Sequence, residues 1–101
     1  MNIQTTHSGD KASIALHGRF QFDSHHDFRA AYDPLISDLS VRLVVLDFAR
    51  VDYLDSAALG MLLLLRERLG AVGKEVEIVH VQGVARQILD VANFGRLFRI
   101  S

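Results

Sequence analysis

The chain has 101 residues, 50% of them apolar, with 11 Lys+Arg against 12 Asp+Glu, a formal net charge of −1, one proline and no cysteine. Such a length carries one domain around one core, and the composition excludes disorder, disulfides, thiolate metal sites and a thiol nucleophile. Near-neutrality excludes the basic surface that nonspecific nucleic-acid binding needs, and the longest wholly apolar run, Ala57 to Leu65, falls short of the ~20 residues of a membrane span.

The first ten residues have neither a basic start nor a long apolar run, so they do not read as a signal peptide. Asn2 to His7 reads as a weak strand and Ser8-Gly9-Asp10 as a turn. Lys11 to Gly18 alternates, with Ala12, Ile14 and Leu16 opposed to Ser13, Ala15 and His17, which makes the start a hairpin. Asp23-Ser24 offers a cap for a helix with Phe28, Ala31, Tyr32 and Leu35 on one face, and Pro34 is expected to end or bend it. Arg42 to Phe48 is a continuous apolar run suited to a strand buried on both faces. Ala49 to Leu54 then connects to a helix that opens at Asp55, runs to about Leu69 and closes at Gly70 or Gly73. Val76 to Val81 reads as a strand. Gly83 to Val91 reads as a helix with Val84, Ile88 and Val91 on one face. Phe94 to Ile100 holds a short turn and a last strand. The order β-β-α-β-α-β-α-β predicts an α/β domain spanning 1–101, with a mixed sheet, right-handed crossovers and helices mainly on one face.

Open α/β sheets place their sites where strands end and helices begin, which directs attention to Asp55-Ser56. A capping aspartate before an apolar helix is a common structural pattern by itself. Here the sequence adds Asp47 and Asp52, expected to crowd one hydroxyl together with Asp55, and the small residues Ala57, Ala58 and Gly60, which leave it accessible. At ~3.6 residues per turn, Ala58, Leu62, Leu65, Leu69 and Val72 should face the core. Gly60 and Leu64 then point outward with Ala57 beside them, a candidate docking patch.

The stretch Val51-Asp-Tyr-Leu-Asp-Ser-Ala-Ala-Leu-Gly-Met-Leu62 resembles the signature of STAS domains, in particular anti-sigma factor antagonists. The resemblance runs from about Lys11 to Ile100 and includes the Gly18 turn, the Val44-Val-Leu-Asp47 strand, the Gly73-Lys-Glu75 turn and the ending Asn93-Phe-Gly-Arg-Leu-Phe-Arg-Ile100. It implies that Ser56 is a phosphorylated serine, with Asp55 the aspartate before it. It also implies a partner switch in the cytoplasm. The unphosphorylated protein, a monomer when free, binds an anti-sigma factor that is often a serine kinase and so frees a sigma factor. Phosphorylation breaks the complex and a serine phosphatase resets it. Two departures stand out. Ala57-Ala58 replace the usual Ser-Gly, so Ser56 is the sole acceptor in the motif. Gln21 occupies a place where relatives carry an acid, and Asp23 follows two residues later; both are candidate partner contacts.

Other chemistry ranks below this. A serine hydrolase would need a base and an oxyanion hole; the Gly-x-Ser-x-Gly elbow is absent, and nothing in the spacing brings His17 or His80 to Ser56. Asp47 and Asp52 could hold magnesium in a receiver-like fold, but the opening hairpin does not fit one. Adjacent His25 and His26 point ~100° apart on a helix and cannot chelate together. Arg86, Arg96 and Arg99 read as solvated charge, and Phe94, Leu97 and Phe98 as core. No cofactor, metal, nucleic acid or membrane insertion is expected. The alternative within the fold is a STAS subunit of a lipid ABC transporter, docked by the same helix without phosphorylation.

Overall fold

A computed structural model describes residues 1–101. The hairpin forms as its alternation predicts: β1 (Asn2–Ser8) pairs antiparallel with β2 (Lys11–Phe20) in continuous register from Asn2–His17 to Ser8–Lys11. A 3₁₀ turn at 22–24 leads into α1 (His25–Ser37), followed by β3 (Leu43–Leu54), α2 (Ser56–Ala71), β4 (Glu75–Val79), α3 (Gly83–Val91), a second 3₁₀ turn at 94–96, and β5 (Arg99–Ile100). The spatial strand order is β1-β2-β3-β4-β5, and β2 to β5 are parallel neighbours.

This order dictates a two-layer molecule. Right-handed crossovers that all step in one direction put every connecting helix on one side of the sheet. Burial agrees. Ala12, Ile14 and Leu16 of β2, Val44, Leu46 and Phe48 of β3 and Ile78 of β4 are buried, whereas Ala15, His17, Val45, Asp47 and Glu77 on the other face are half-buried or exposed. The run from Arg42 to Phe48 is therefore covered on one face rather than two. The core holds 24 buried residues, with Phe20 at its centre, 4.9 Å from Phe28 and 6.4 Å from Phe48 between ring centroids.

β3 does not stop at Phe48. It continues to Leu54 because two bulges each insert one extra residue opposite β2, between the pairs Ala15–Asp47 and His17–Arg50 and between Gly18–Val51 and Arg19–Tyr53. Each extra residue reverses the side-chain phase. The buried positions run Val44, Leu46, Phe48, then Val51, then Leu54, so the apolar side chains stay inward past both irregularities. Gly18 is not a turn before the first helix. It lies within β2 at the second bulge, with φ +111°.

Three further expectations shift. Pro34 lies inside α1, which continues to Ser37; the Lys74 ammonium then donates to the carbonyls of Leu35 and Asp38 at 2.6 Å each and satisfies that helix end. Val72 is half exposed, because the helix has ended and Gly73 (φ +74°) has turned the chain. In α3 the buried residues are Ala85 and Leu89; of the expected stripe, Val84 and Val91 are exposed, while Ile88 is half-buried against the core. Leu97 is exposed as well, while Phe94 and Phe98 are buried.

Gly18→Ala should lower stability by about 1–2 kcal/mol, because an L-residue is strained at positive φ although space is free around the site. Gly60→Ala, in an exposed helical position with nothing to collide with, should raise it by about 0.5–1 kcal/mol. Urea denaturation of the two variants beside wild type checks both signs.

Candidate functional site at the start of the second helix

Asp55 follows the last residue of β3 and caps α2. One carboxylate oxygen accepts from the Ala58 amide at 2.8 Å, satisfying a donor of the first turn. The other accepts from the Phe22 amide at 3.0 Å, 33 residues away in sequence. Its backbone is fixed too: the Asp55 amide donates to the Phe20 carbonyl at 3.2 Å, and the Asp55 carbonyl accepts from Leu59 at 3.2 Å. A single residue thus joins the end of β2, the 22–24 turn and the start of α2.

Ser56 is the first residue of α2 and is exposed. Its hydroxyl has no protein hydrogen-bond partner. The Ala58 and Leu59 amides are taken by Asp55, which leaves those of Ser56 and Ala57 as the free donors of this helix end. Their positive dipole end favours an anion on the serine oxygen.

The aspartates do not gather as the sequence suggests. Asp47 lies seven residues before Leu54 on one strand, roughly 20 Å away at strand rise. It bonds the Ala49 amide at 3.0 Å and His80 Nδ1 at 3.2 Å. Asp52 is exposed near the second bulge. Asp23 is exposed on the turn that Asp55 holds through the Phe22 amide. Gln21 is half-buried at the start of that turn, where its carbonyl accepts from the Ser24 amide at 2.9 Å. His80 belongs to the Asp47 contact and His17 lines a hollow of about 340 Å³ with Asp47 and Arg50, so neither histidine serves Ser56 as a base.

The outward face of α2 is apolar near Ser56. Ala57 is half-buried, Gly60 exposed and Leu64 36% exposed. Two residues escaped the sequence reading. Leu63 is 40% exposed and stands seven residues from Ser56, almost in line with it along the helix. Phe22 is 73% exposed beside the Asp55 carboxylate. Helical rotation carries the first signal. The second has none in sequence, because Phe22 resembles its buried neighbour Phe20 until the turn is known.

A family model described as "Mlab, STAS domain" matches residues 3–99. The chain belongs to the STAS-domain family. It is 41% identical over 93 residues to a STAS-domain-containing protein of Pseudomonas aeruginosa strain UCBPP-PA14, covering 92% of this chain and 90% of that one. Among solved structures it shares the fold of the anti-sigma factor antagonist SpoIIAA. The unphosphorylated form aligns with TM-score 0.77 at 20% identity over 99% of this chain and 87% of that one; the phosphorylated form, from Bacillus, aligns with TM-score 0.75 at 19% identity over 99% and 91%. An anti-sigma factor antagonist from Mycobacterium paratuberculosis aligns with TM-score 0.85 at 17% identity, covering 98% and 83%. The mixed-sheet α/β domain read from the hairpin and the alternating strands and helices is the architecture observed, and it is the STAS fold that the motif resemblance implied. No helix is long and apolar enough to cross a membrane.

Asp55→Ala should cost about 1–2 kcal/mol through the lost cap and should speed hydrogen exchange at both Ala58 and Phe22, whereas Asp55→Asn keeps most of the cap. Amide exchange followed residue by residue by NMR distinguishes this two-ended loss from simple helix fraying, which would spare Phe22.

Proposed function

We propose that this chain is an anti-sigma factor antagonist whose binding is switched by phosphorylation of Ser56. The observation that carries the reading is the exposed, unbonded Ser56 hydroxyl at the head of α2, beside free amides and in line with an outward apolar face. A kinase can reach such a hydroxyl without unfolding the helix, and a partner seated on Gly60, Leu63 and Leu64 covers it. The unphosphorylated form binds the anti-sigma factor in the cytoplasm through Asp55, Ser56, Ala57, Gly60 and Leu64, with Gln21 and Asp23 at the edge, and so releases a sigma factor. A serine kinase, often the anti-sigma factor itself, closes the switch and a serine phosphatase reopens it. The chain is a binding module rather than an enzyme.

Phosphorylation adds about −1.5 to −2 charge. At the head of α2 the dipole tolerates it, so the domain stays folded. At a docked interface the same charge adds repulsion beside Asp55 and Asp23 and must be stripped of water, so the complex breaks. A second reading rests on the family model's Mlab description: a STAS subunit of a lipid ABC transporter, docked by the same face of α2 with no need of a phosphate.

The test is a pull-down with Ser56→Ala beside Ser56→Asp, with the retained protein identified by mass spectrometry and then purified for titration. The expected result is an anti-sigma factor that binds Ser56→Asp about tenfold or more weakly, a difference of about 1.4 kcal/mol, while the melting temperatures agree. Equal affinity for the two variants sinks the switch. Retention of a membrane transporter selects the second reading.

A further inference from the structure

β1 is an edge strand, with β2 on one side and no strand on the other. The Asp10 carbonyl accepts from the Arg42 and Leu43 amides, so alternate residues from Asp10 onward turn their backbone groups toward β3, and Lys11, Ser13, Ala15 and His17 turn theirs toward β1. Their register partners Ser8, Thr6, Gln4 and Asn2 are therefore bonded within the hairpin. Ile3, Thr5 and His7 lie between them and point N–H and C=O outward, away from the sheet.

Open edges are commonly blunted by charge, proline, a bulge or shortness. The opposite edge is short, since β5 is only Arg99–Ile100. β1 has none of these devices. It runs for seven residues in continuous register with β2, without Pro, Lys, Arg, Asp or Glu, and every residue except Ile3 is exposed.

We propose that two copies of this chain pair antiparallel through β1, about a two-fold axis at Thr5, into one continuous sheet. Three features select a second copy as the occupant. First, the axis sets Thr5 against Thr5 and Ile3 against His7, so every outward N–H meets a C=O, about six ladder bonds in all. Second, the pairs created are Thr–Thr, Ile–His, Gln–Thr and Asn–Ser, so no like charges are opposed. The His7 ring lies 4.0 Å from Asp38 of its own chain. Third, pairing β1 head-to-tail with β5 of the next copy would match seven residues with two, so the assembly closes as a dimer instead of growing. The axis stands perpendicular to the sheet, which keeps both helical layers on one side. A contact along one strand edge is small beside the roughly 800 Å² per partner of a stable interface, so the dimer is reversible and depends on concentration. This departs from the free monomer that the family resemblance implies. Ser56 follows the end of β3, two strands away, so the inference stands apart from the switch reading.

The experiment is sedimentation of the purified chain over a wide concentration range, with amide exchange followed by NMR at both ends of that range. The mass should rise from that of one chain toward that of two. Ile3, Thr5 and His7 amides should gain protection with concentration, while Gln4 and Thr6 amides, already bonded to β2, should not. Thr5→Pro removes an outward N–H without touching the hairpin's own bonds, and Thr5→Lys opposes two like charges at the axis. Each should weaken the dimer at least tenfold. Thr5→Lys should do so with an unchanged melting temperature, which separates lost pairing from lost folding. Val91→Lys, on a side chain 85% exposed on α3, should dimerise as wild type. A single chain at every concentration overturns the proposal. So does a dimer that survives both Thr5 variants, one abolished by Val91→Lys, or growth beyond two chains.

Discussion

β3 has to satisfy two demands at once. It pairs with β2 over nearly its whole length, and it must keep apolar side chains turned toward the helices although that length brings in polar and charged residues. A regular strand cannot do both with this sequence. Strict alternation after Phe48 would send Arg50 and Asp52 into the core and Val51 to solvent. The two bulges resolve the conflict by resetting the phase twice, and the second is eased by Gly18 on the facing strand, whose positive φ other residues adopt only under strain. Everything at the site follows from that extension. Leu54 enters the core beside Phe20, Asp55 leaves the strand at the level of the 22–24 turn, and α2 starts with its serine facing water.

Asp55 then does what a cap alone would not. Its two carboxylate oxygens bridge elements that are neighbours only because β2 and β3 end together. The exposed Phe22 is presented by this bridge, so the apolar and acidic parts of the candidate docking surface are held in one frame. The candidate surface draws on the first turn of α2, its two outward leucines and the turn before α1, which come from two separate stretches of chain.

Much of this was legible in the sequence. The hairpin alternation, the Asp55 cap, the core stripe of α2 through Leu69 and the bounds of α3 need only local periodicity and turn chemistry. What was not legible required knowing a neighbour. The strand after Phe48 looks like a loop because its alternation is broken, and only pairing with β2 shows that the breaks are bulges. Asp47 looked like a companion of Asp55, yet a strand that stays extended carries it toward His80 instead. In α3 the choice between Val84–Ile88–Val91 and Ala85–Leu89 as the buried face turns on close packing against β3. That packing favours the smaller alanine, which hydropathy ranks lower.

The strand order carries a kinetic consequence. Because every strand lies beside its neighbour in sequence, each pairing closes a loop no longer than one helix and its turns. Loop-closure entropy grows with the length of chain enclosed, and folding slows as contacts become more distant in sequence. The strand order requires no strand to be inserted late between two others. A local opening at one edge can therefore close again without undoing the rest of the sheet.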